Sequence, residues 1–283
     1  MLSYFQAIVL GLLQGFAELF PISSLGHTVL VPALLGWSVD RSDNQFVAFL
    51  VLTHLATSLV LMGFFWRDWL AIIKGVLRSL RQREISPDDP SARIGWLLIV
   101  STIPAGLLGL LFEERLRLLF GSADIVAGAL VANGFVLHVV ERVRRRRATT
   151  HQRGDDGEIA SLSWSQATLI GIAQCLALVP GFSRTGLTMG ASLACGLSHP
   201  GAVRYSFLLA TPIIFAAAVL KVPDLFTGET GGLNVALLGA ACAAVAAFFS
   251  TRFLLRYFET DTLRPFGSYC IAAGLVSLLL LSI

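Results

Sequence analysis

Charge is scarce in this chain. Asp, Glu, Lys and Arg make up 14% of its 283 residues, while 55% are hydrophobic; a soluble domain carries roughly 25% charged residues. Together with a mean hydropathy of +0.75, that shortage excludes an ordinary water-soluble domain and points to a polytopic membrane protein. Neither sign dominates: a net charge of +3 is too small to suggest a nucleic-acid partner. Cysteine is scarce too. Cys175, Cys195, Cys242 and Cys270 lie apart in apolar segments without metal-ligand spacing, so they read as small core residues and not as a metal site or disulfide framework. The opening MLSYFQAIVLG holds no Lys or Arg, so the basic region of a signal peptide is missing. Long polar stretches are missing as well, which leaves no room for a soluble domain.

Long apolar runs are what the chain does have. A membrane-crossing helix takes about 20 mostly apolar residues, and six stretches qualify: about 46–66, 94–112, 122–141, 202–222, 233–256 and 265–283. Four shorter stretches form two pairs, 4–20 with 23–36 and 164–179 with 185–197, each pair split by Pro, Gly and Ser. Irregular backbone at membrane depth is tolerated only inside protein or along a cavity. Each pair therefore reads as a re-entrant helical hairpin; one long, kinked spanning helix per pair is the alternative.

Arg67, Lys74, Arg78, Arg81, Arg83 and Arg93 follow the first full span in what reads as a loop, and Arg142, Arg144, Arg145, Arg146, Arg147 and Arg153 follow the third. Two spans separate these groups, so both lie on the cytoplasmic side, as do Arg252, Arg256 and Arg264. Both termini then fall outside. Topology accounts for the RVRRRR run without a dedicated lipid site. The segments REISPDDPSAR and RRRRATTHQRGDDGE read as flexible.

The two halves resemble each other. GLLQGFAELFPISSLG (Gly11 to Gly26) matches GIAQCLALVPGFSRTG (Gly171 to Gly186) at both glycines, at Gln14/Gln174 and at Ala17/Ala177. Residues 1–147 and 163–283 each hold a hairpin and three spans, joined by a cytoplasmic linker at 148–162. An odd number of crossings inverts the second half. The expected fold class is an all-α polytopic membrane protein, an inverted-topology repeat of six transmembrane helices plus two re-entrant hairpins.

In each hairpin the second helix begins at the tip, so its free N–H groups and positive dipole end face the interior. Ser23 or Ser24 caps the first such helix and Ser183 the second. Arg184 adds a fork suited to phosphate, and Thr185 and Thr188 add hydroxyls. A phosphate-sized anion held at membrane depth is expected. Glu18 and Gln14 share a helix face. A carboxylate at mid-membrane costs about 2.5–3.5 kcal/mol on insertion scales. Glu18 reads either as the structural partner of Arg184 or as a general base, an orienter of His27 or a ligand for a divalent cation. Ser24 and His27, three apart, share a face, which suits nucleophilic catalysis; a cap and a polar His explain the pair equally well. His54 reads as a packed polar residue, and His138, His151 and His199 claim no role.

QGFAELFPISSLGH and PGFSRTG resemble the two signatures of the undecaprenyl-diphosphatase, or bacitracin-resistance, family: (E/Q)-x-x-x-E running into P-x-S-S-x-G-H, and P-G-x-S-R-S-G. The likeness covers essentially the whole chain. It implies a bacterial inner-membrane enzyme that removes the terminal phosphate of a C55 polyprenyl diphosphate, recycling the lipid carrier of cell-wall synthesis at a site open to the outer face. Carried over by position, the family's functional residues fall at Gln14, Glu18, Ser23, Ser24, His27, Ser183, Arg184 and Thr188. Gln14 stands where many members have Glu, and Thr185 where Ser is usual. Type-2 phosphatidic-acid phosphatases share a Ser-Gly-His and a Ser-Arg element, but Gly190 stands where they need His, and that resemblance stops there.

The expected mechanism has Arg184, Ser183, Thr188 and helix N–H groups hold the phosphates while Ser24, helped by His27, attacks the terminal phosphorus. In the other variant water attacks directly. Glu18 orients His27 or binds Mg²⁺ or Ca²⁺. The expected partners are undecaprenyl diphosphate, membrane lipid and a second copy in a homodimer. The competing reading is a flippase for polyprenyl phosphate, which would use the same anion site without a nucleophile.

Overall fold

The computed structural model describes residues 2–39, 44–112, 122–146, 156–221 and 232–283. Among the described residues the secondary structure is helical, with no strand. The helices run α1 (Tyr4–Ala17), α2 (Ser24–Leu34), α3 (Asn44–Phe64), α4 (Trp66–Gln82), α5 (Pro90–Leu111), α6 (Ala123–Arg146), α7 (Asp156–Ala160), α8 (Trp164–Cys175), α9 (Arg184–Ala194), α10 (His199–Lys221), α11 (Leu233–Tyr257) and α12 (Arg264–Leu281). Six of them, α3, α5, α6, α10, α11 and α12, are long and apolar enough to cross a membrane. Arg147, His151, Arg153 and most of the 148–162 linker lie outside the described residues.

Both broken pairs begin with the same device. Ser3 accepts from the N–H of Gln6 while Gln6 accepts from the N–H of Ser3, and Ser163 and Gln166 repeat the exchange at α8. Each capping box satisfies two of the N–H groups a helix start leaves free. Both leading helices then meet a prolyl break. Pro21 and Ser23 separate α1 from α2, with Ser23 in the left-handed region at φ 69°. Pro180 and Gly181 separate α8 and its 3₁₀ turn from α9, with Gly181 at φ 107°.

The leading helices of the two pairs have different neighbours. Ala7 and Leu10 of α1 pack with Phe46 and Phe49 of α3 and Ala236 of α11. Arg93 of α5 donates to the carbonyls of Ala160 and Leu162 and lies over the Trp164 ring that opens α8. Packing is exchanged between the halves. α1 lies on α11, where a Cβ on Gly11 would meet the Gly239 carbonyl at 2.4 Å. α8 lies on α5, where a Cβ on Gly171, the repeat mate of Gly11, would meet the Ser101 carbonyl at 2.4 Å. α6 and α12 cross through Gly134 and Gly267 in the same way. Small residues allow helix axes this close approach, which is how apolar helices gain dispersion energy where water provides no drive.

Two expectations from the sequence fail. Residues 66–82, read as a loop, form α4. Ile72, Gly75 and Ser79 face α5, Trp66, Leu70, Ile73, Leu77 and Leu80 form an exposed apolar stripe, and Arg67, Lys74, Arg78 and Arg81 lie on a third face. The 3.6-residue period is present, but its basic residues hide it from a search for uncharged spans. The REISPDDPSAR segment is likewise an ordered turn. Asp89 caps α5 through the N–H of Ala92 and accepts from Arg78 at 2.8 Å.

Candidate active site

The two breaks meet in the middle of the bundle. Ser23 Oγ accepts from Gly26 N and, across the interface, from Gly181 N, both at 3.2 Å. Asn133 of α6 ties the tips together, donating to the Pro21 carbonyl at 3.1 Å and accepting from Ser183 N at 3.0 Å. Ser183 Oγ accepts from Gly186 N and donates to the Phe20 carbonyl, and Thr185 donates to the Glu18 carbonyl at 3.0 Å. The backbones touch here: glycine is required at Gly181, where a Cβ would lie only 2.4 Å from the Val126 carbonyl, and fits closely at Gly26, where one would lie 3.1 Å from the Gly181 Cα. The positive φ of Ser23 costs roughly 1–3 kcal/mol and persists only because these bonds hold it. In exchange Ser24 sits at the first turn of α2 facing Glu18.

Glu18 is the hub. Its Oε1 accepts from the Arg184 guanidinium, and its Oε2 accepts from Ser24 Oγ and from Gln14 Nε2, the last at 2.9 Å. His54 Nε2 lies 3.5 Å from the same Oε2. His54 Nδ1 is 2.8 Å from the Leu50 carbonyl, an acceptor, so Nδ1 carries a hydrogen and Nε2 is the nitrogen presented to the site. Glu18 is buried and would be costly uncompensated; here each carboxylate oxygen has donors. Arg184 gives one terminal nitrogen to Glu18 and approaches the Ala210 carbonyl with the other at 3.5 Å, which leaves further N–H groups for an anion.

Glu18, Ser23, Ser24, His54, Ser183 and Arg184 line a chamber of about 60 Å³. Four of its walls, Leu25, His54, Ala177 and Arg184, also bound an adjoining cavity of about 320 Å³ that is otherwise apolar apart from Gln174. The remaining residues expected from the sequence stand behind this site. Thr188 bonds Ser206 Oγ at 2.5 Å and the Arg184 carbonyl at 2.9 Å, and Thr185 is spent on the Glu18 carbonyl. His27 departs furthest from expectation. Its Nδ1 is 2.7 Å from the Ser23 carbonyl and its Nε2 is 2.8 Å from the Tyr269 hydroxyl. Both nitrogens are engaged away from Ser24, and the side chain that takes the Ser24 hydrogen is Glu18. His54, read from sequence as a packing residue, lies in the chamber wall instead. A polar ring amid FLVLTHLATSLVL was the available signal, but the sequence gives no indication that it faces Glu18.

Among the described residues no group of three or more His, Cys, Asp or Glu is placed to cage a metal ion. Two hard oxygen donors belong to bonded neighbours: the Glu18 carboxylate, and Oε1 of Gln14, which meets Glu18 through Nε2 and keeps that oxygen buried without a hydrogen-bond partner. Mg²⁺ commonly takes one or two protein oxygens and the rest from substrate phosphates and water. This donor set fits a cation shared with a phosphate ligand and does not fit an all-protein cage.

Known proteins share this sequence along nearly its whole length. The family model described as "Bacitracin resistance protein BacA" matches residues 7–276. The chain is 46% identical to an undecaprenyl-diphosphatase of Mycolicibacterium paratuberculosis over 302 aligned positions, covering 100% of this chain and 98% of that protein. It is 46% identical to undecaprenyl-diphosphatase 1 of Burkholderia pseudomallei, covering 98% and 96%. It is 44% identical to undecaprenyl-diphosphatase 2 of Chromobacterium violaceum, covering 97% of each. With the match running through both helix breaks and nearly every helix between them, the chain belongs to the BacA family of bacitracin resistance proteins.

Proposed function

We propose that the protein is an undecaprenyl-diphosphatase of the bacterial inner membrane, hydrolysing the terminal phosphate of a C55 polyprenyl diphosphate to give the monophosphate carrier used in cell-wall synthesis. Its relatives carry that name along their full length. One observation carries the chemistry: a serine hydroxyl donates to a buried carboxylate that also holds the arginine of the opposite helix tip. The apolar cavity beside it suits a prenyl chain.

In this reading the terminal phosphoryl group enters the small chamber that Ser183 helps to line, held by free Arg184 N–H groups. Donors fixed in advance stabilise the charge on phosphoryl oxygens without reorganisation. Ser24 Oγ attacks the terminal phosphorus as its proton passes to Glu18 Oε2. The bridging P–O bond breaks, and the prenyl monophosphate leaves with its electron pair. Water then attacks the phosphoseryl phosphorus and Glu18 returns its proton to Ser24. The phosphate departs as dihydrogen phosphate with both hydrogens of the water. Gln14 and His27 position Glu18 and Ser23. A divalent cation, Mg²⁺ or Ca²⁺, would be held by Glu18 and Gln14 Oε1 and would neutralise phosphate charge.

The membrane setting follows from the same features. The broken pairs read as hairpins dipping from opposite leaflets, with the halves 1–147 and 163–283 inverted. The basic end of the bundle, at Arg67 to Arg83 and Arg142 to Arg144, lies in the cytoplasm. Both termini and the mouth of the chamber then face outward. The test is purified protein in detergent with the C55 diphosphate: inorganic phosphate accumulates. Its absence, with lipid transfer between leaflets in its place, would mean a carrier.

A further inference from the structure

Gln174 is the repeat mate of Gln14, and the two have different fates. Four residues after Gln14 comes Glu18, which takes its amide at 2.9 Å. Four residues after Gln174 comes Leu178, which offers nothing polar. Gln174 is 2% exposed, yet both its Oε1 and Nε2 lack a hydrogen-bond partner. A buried amide left this way costs roughly 1–3 kcal/mol for each unmade bond. It lines the 320 Å³ cavity together with His54 and Arg184, and every other wall there is apolar.

Size gives the second observation. The Ser24 chamber measures about 60 Å³, whereas a cavity of about 150 Å³ binds a group as large as benzene. The chamber has room for one phosphoryl group beside Ser24, and the cavity that shares His54 and Arg184 with it has room for a second. The adjoining cavity is where the chain can continue, and its polar groups are those three side chains.

We propose that Gln174 and His54, flanking Arg184, form a second headgroup subsite that holds the inner, prenyl-linked phosphate of the diphosphate. Gln174 Nε2 donates to a phosphate oxygen, and Oε1 accepts from a phosphate hydroxyl or water. His54 Nε2, left as the acceptor by the Nδ1–H bond to the Leu50 carbonyl, takes a hydrogen from a hydroxyl of the same phosphate or from a bridging water on the α3 side. Arg184 spans both phosphates. The assignment rests on the diphosphatase reading above, and it names where the leaving half of the substrate sits.

The test uses purified full-length protein in detergent and a farnesyl diphosphate analogue whose bridging oxygen is replaced by methylene, so that binding is read without turnover. Gln174→Leu removes the orphaned amide and is expected to melt no earlier than wild type while weakening analogue binding about tenfold or more, the worth of a hydrogen bond to a charged group. In ³¹P spectra of the bound analogue, the prenyl-side resonance should move between wild type and variant and the terminal one should stay. Should Gln174→Leu melt early, Gln174→Glu keeps the shape and sets a carboxylate against the phosphate, with at least as large a loss expected. Binding within twofold of wild type in a folded variant, or movement of the terminal resonance alone, overturns the subsite. A wild type that binds the analogue but releases no phosphate from the true diphosphate overturns the hydrolase reading and leaves the subsite standing.

Discussion

The Arg184 guanidinium donates to Oε1 of Glu18, a residue 166 positions earlier in the chain. Each stands at a helix break, Glu18 after α1 and Arg184 at the start of α9. The pair therefore closes the site and also aims the rest of the arginine at it. Removing either partner leaves a lone buried charge, which costs about 3–5 kcal/mol. Glu18→Ala and Arg184→Ala should each lower the melting temperature and cut phosphate release at least about 100-fold. Arg184→Lys should restore little, because a single ammonium cannot hold Glu18 and a phosphate at once. Near-wild-type turnover by the Lys variant would contradict this.

His27 differs from the residue its position in the motif suggests. With Nδ1 on the Ser23 carbonyl and Nε2 on Tyr269, it braces the strained residue next to Ser24. His27→Ala and Tyr269→Phe should therefore lower kcat non-additively, since both break one chain of bonds. Neither should move the acidic limb of the pH–rate profile. Loss of that limb in His27→Ala would make the imidazole a proton acceptor after all.

Close helix contacts should be as sensitive as the chemistry. Gly11→Val and Gly171→Val each force a side chain onto a backbone carbonyl, and overpacking of this kind costs typically about 1–3 kcal/mol. Both should melt early in detergent. Gly63→Ala, at a position where nothing lies within 4 Å, should not. Equal behaviour of the three variants would argue against the exchanged packing of α1 on α11 and α8 on α5.

The donor set at Glu18 and Gln14 predicts a response to chelation. Removing divalent cations should lower phosphate release, and Mg²⁺ should restore it. Gln14→Leu, which deletes the orphaned oxygen, should raise the Mg²⁺ concentration needed. An unchanged Mg²⁺ requirement in that variant would remove Gln14 from the cation's ligands.

Much of this was legible in the sequence, for identifiable reasons. Six mostly apolar runs of helical length and two Pro/Gly/Ser breaks in short ones marked the helices and the tips, and the repeat of Gln, Ala and Gly placed the tips in equivalent positions. The pairing of Glu18 with Arg184 was one of the readings the sequence left open, beside a general base, an orienter of His27 and a cation ligand. What stayed hidden depends on side-chain direction. Nothing in the order of residues says that α2 turns His27 toward Tyr269, or that α3 turns His54 toward Glu18. The capping boxes at Ser3 and Ser163 were visible as S-x-x-Q, but polar residues before an apolar run are common. α4 was hidden because its basic face falls within the charge excess that sets topology.

Phosphate release from the C55 diphosphate by wild type and Ser24→Ala, in one detergent and at equal folded concentration, bears most directly on the account. Steady release by wild type and less than about one per cent of it by the variant is the expected result, the loss typical of a group that acts in the transition state. Release by Ser24→Ala within tenfold of wild type would contradict it.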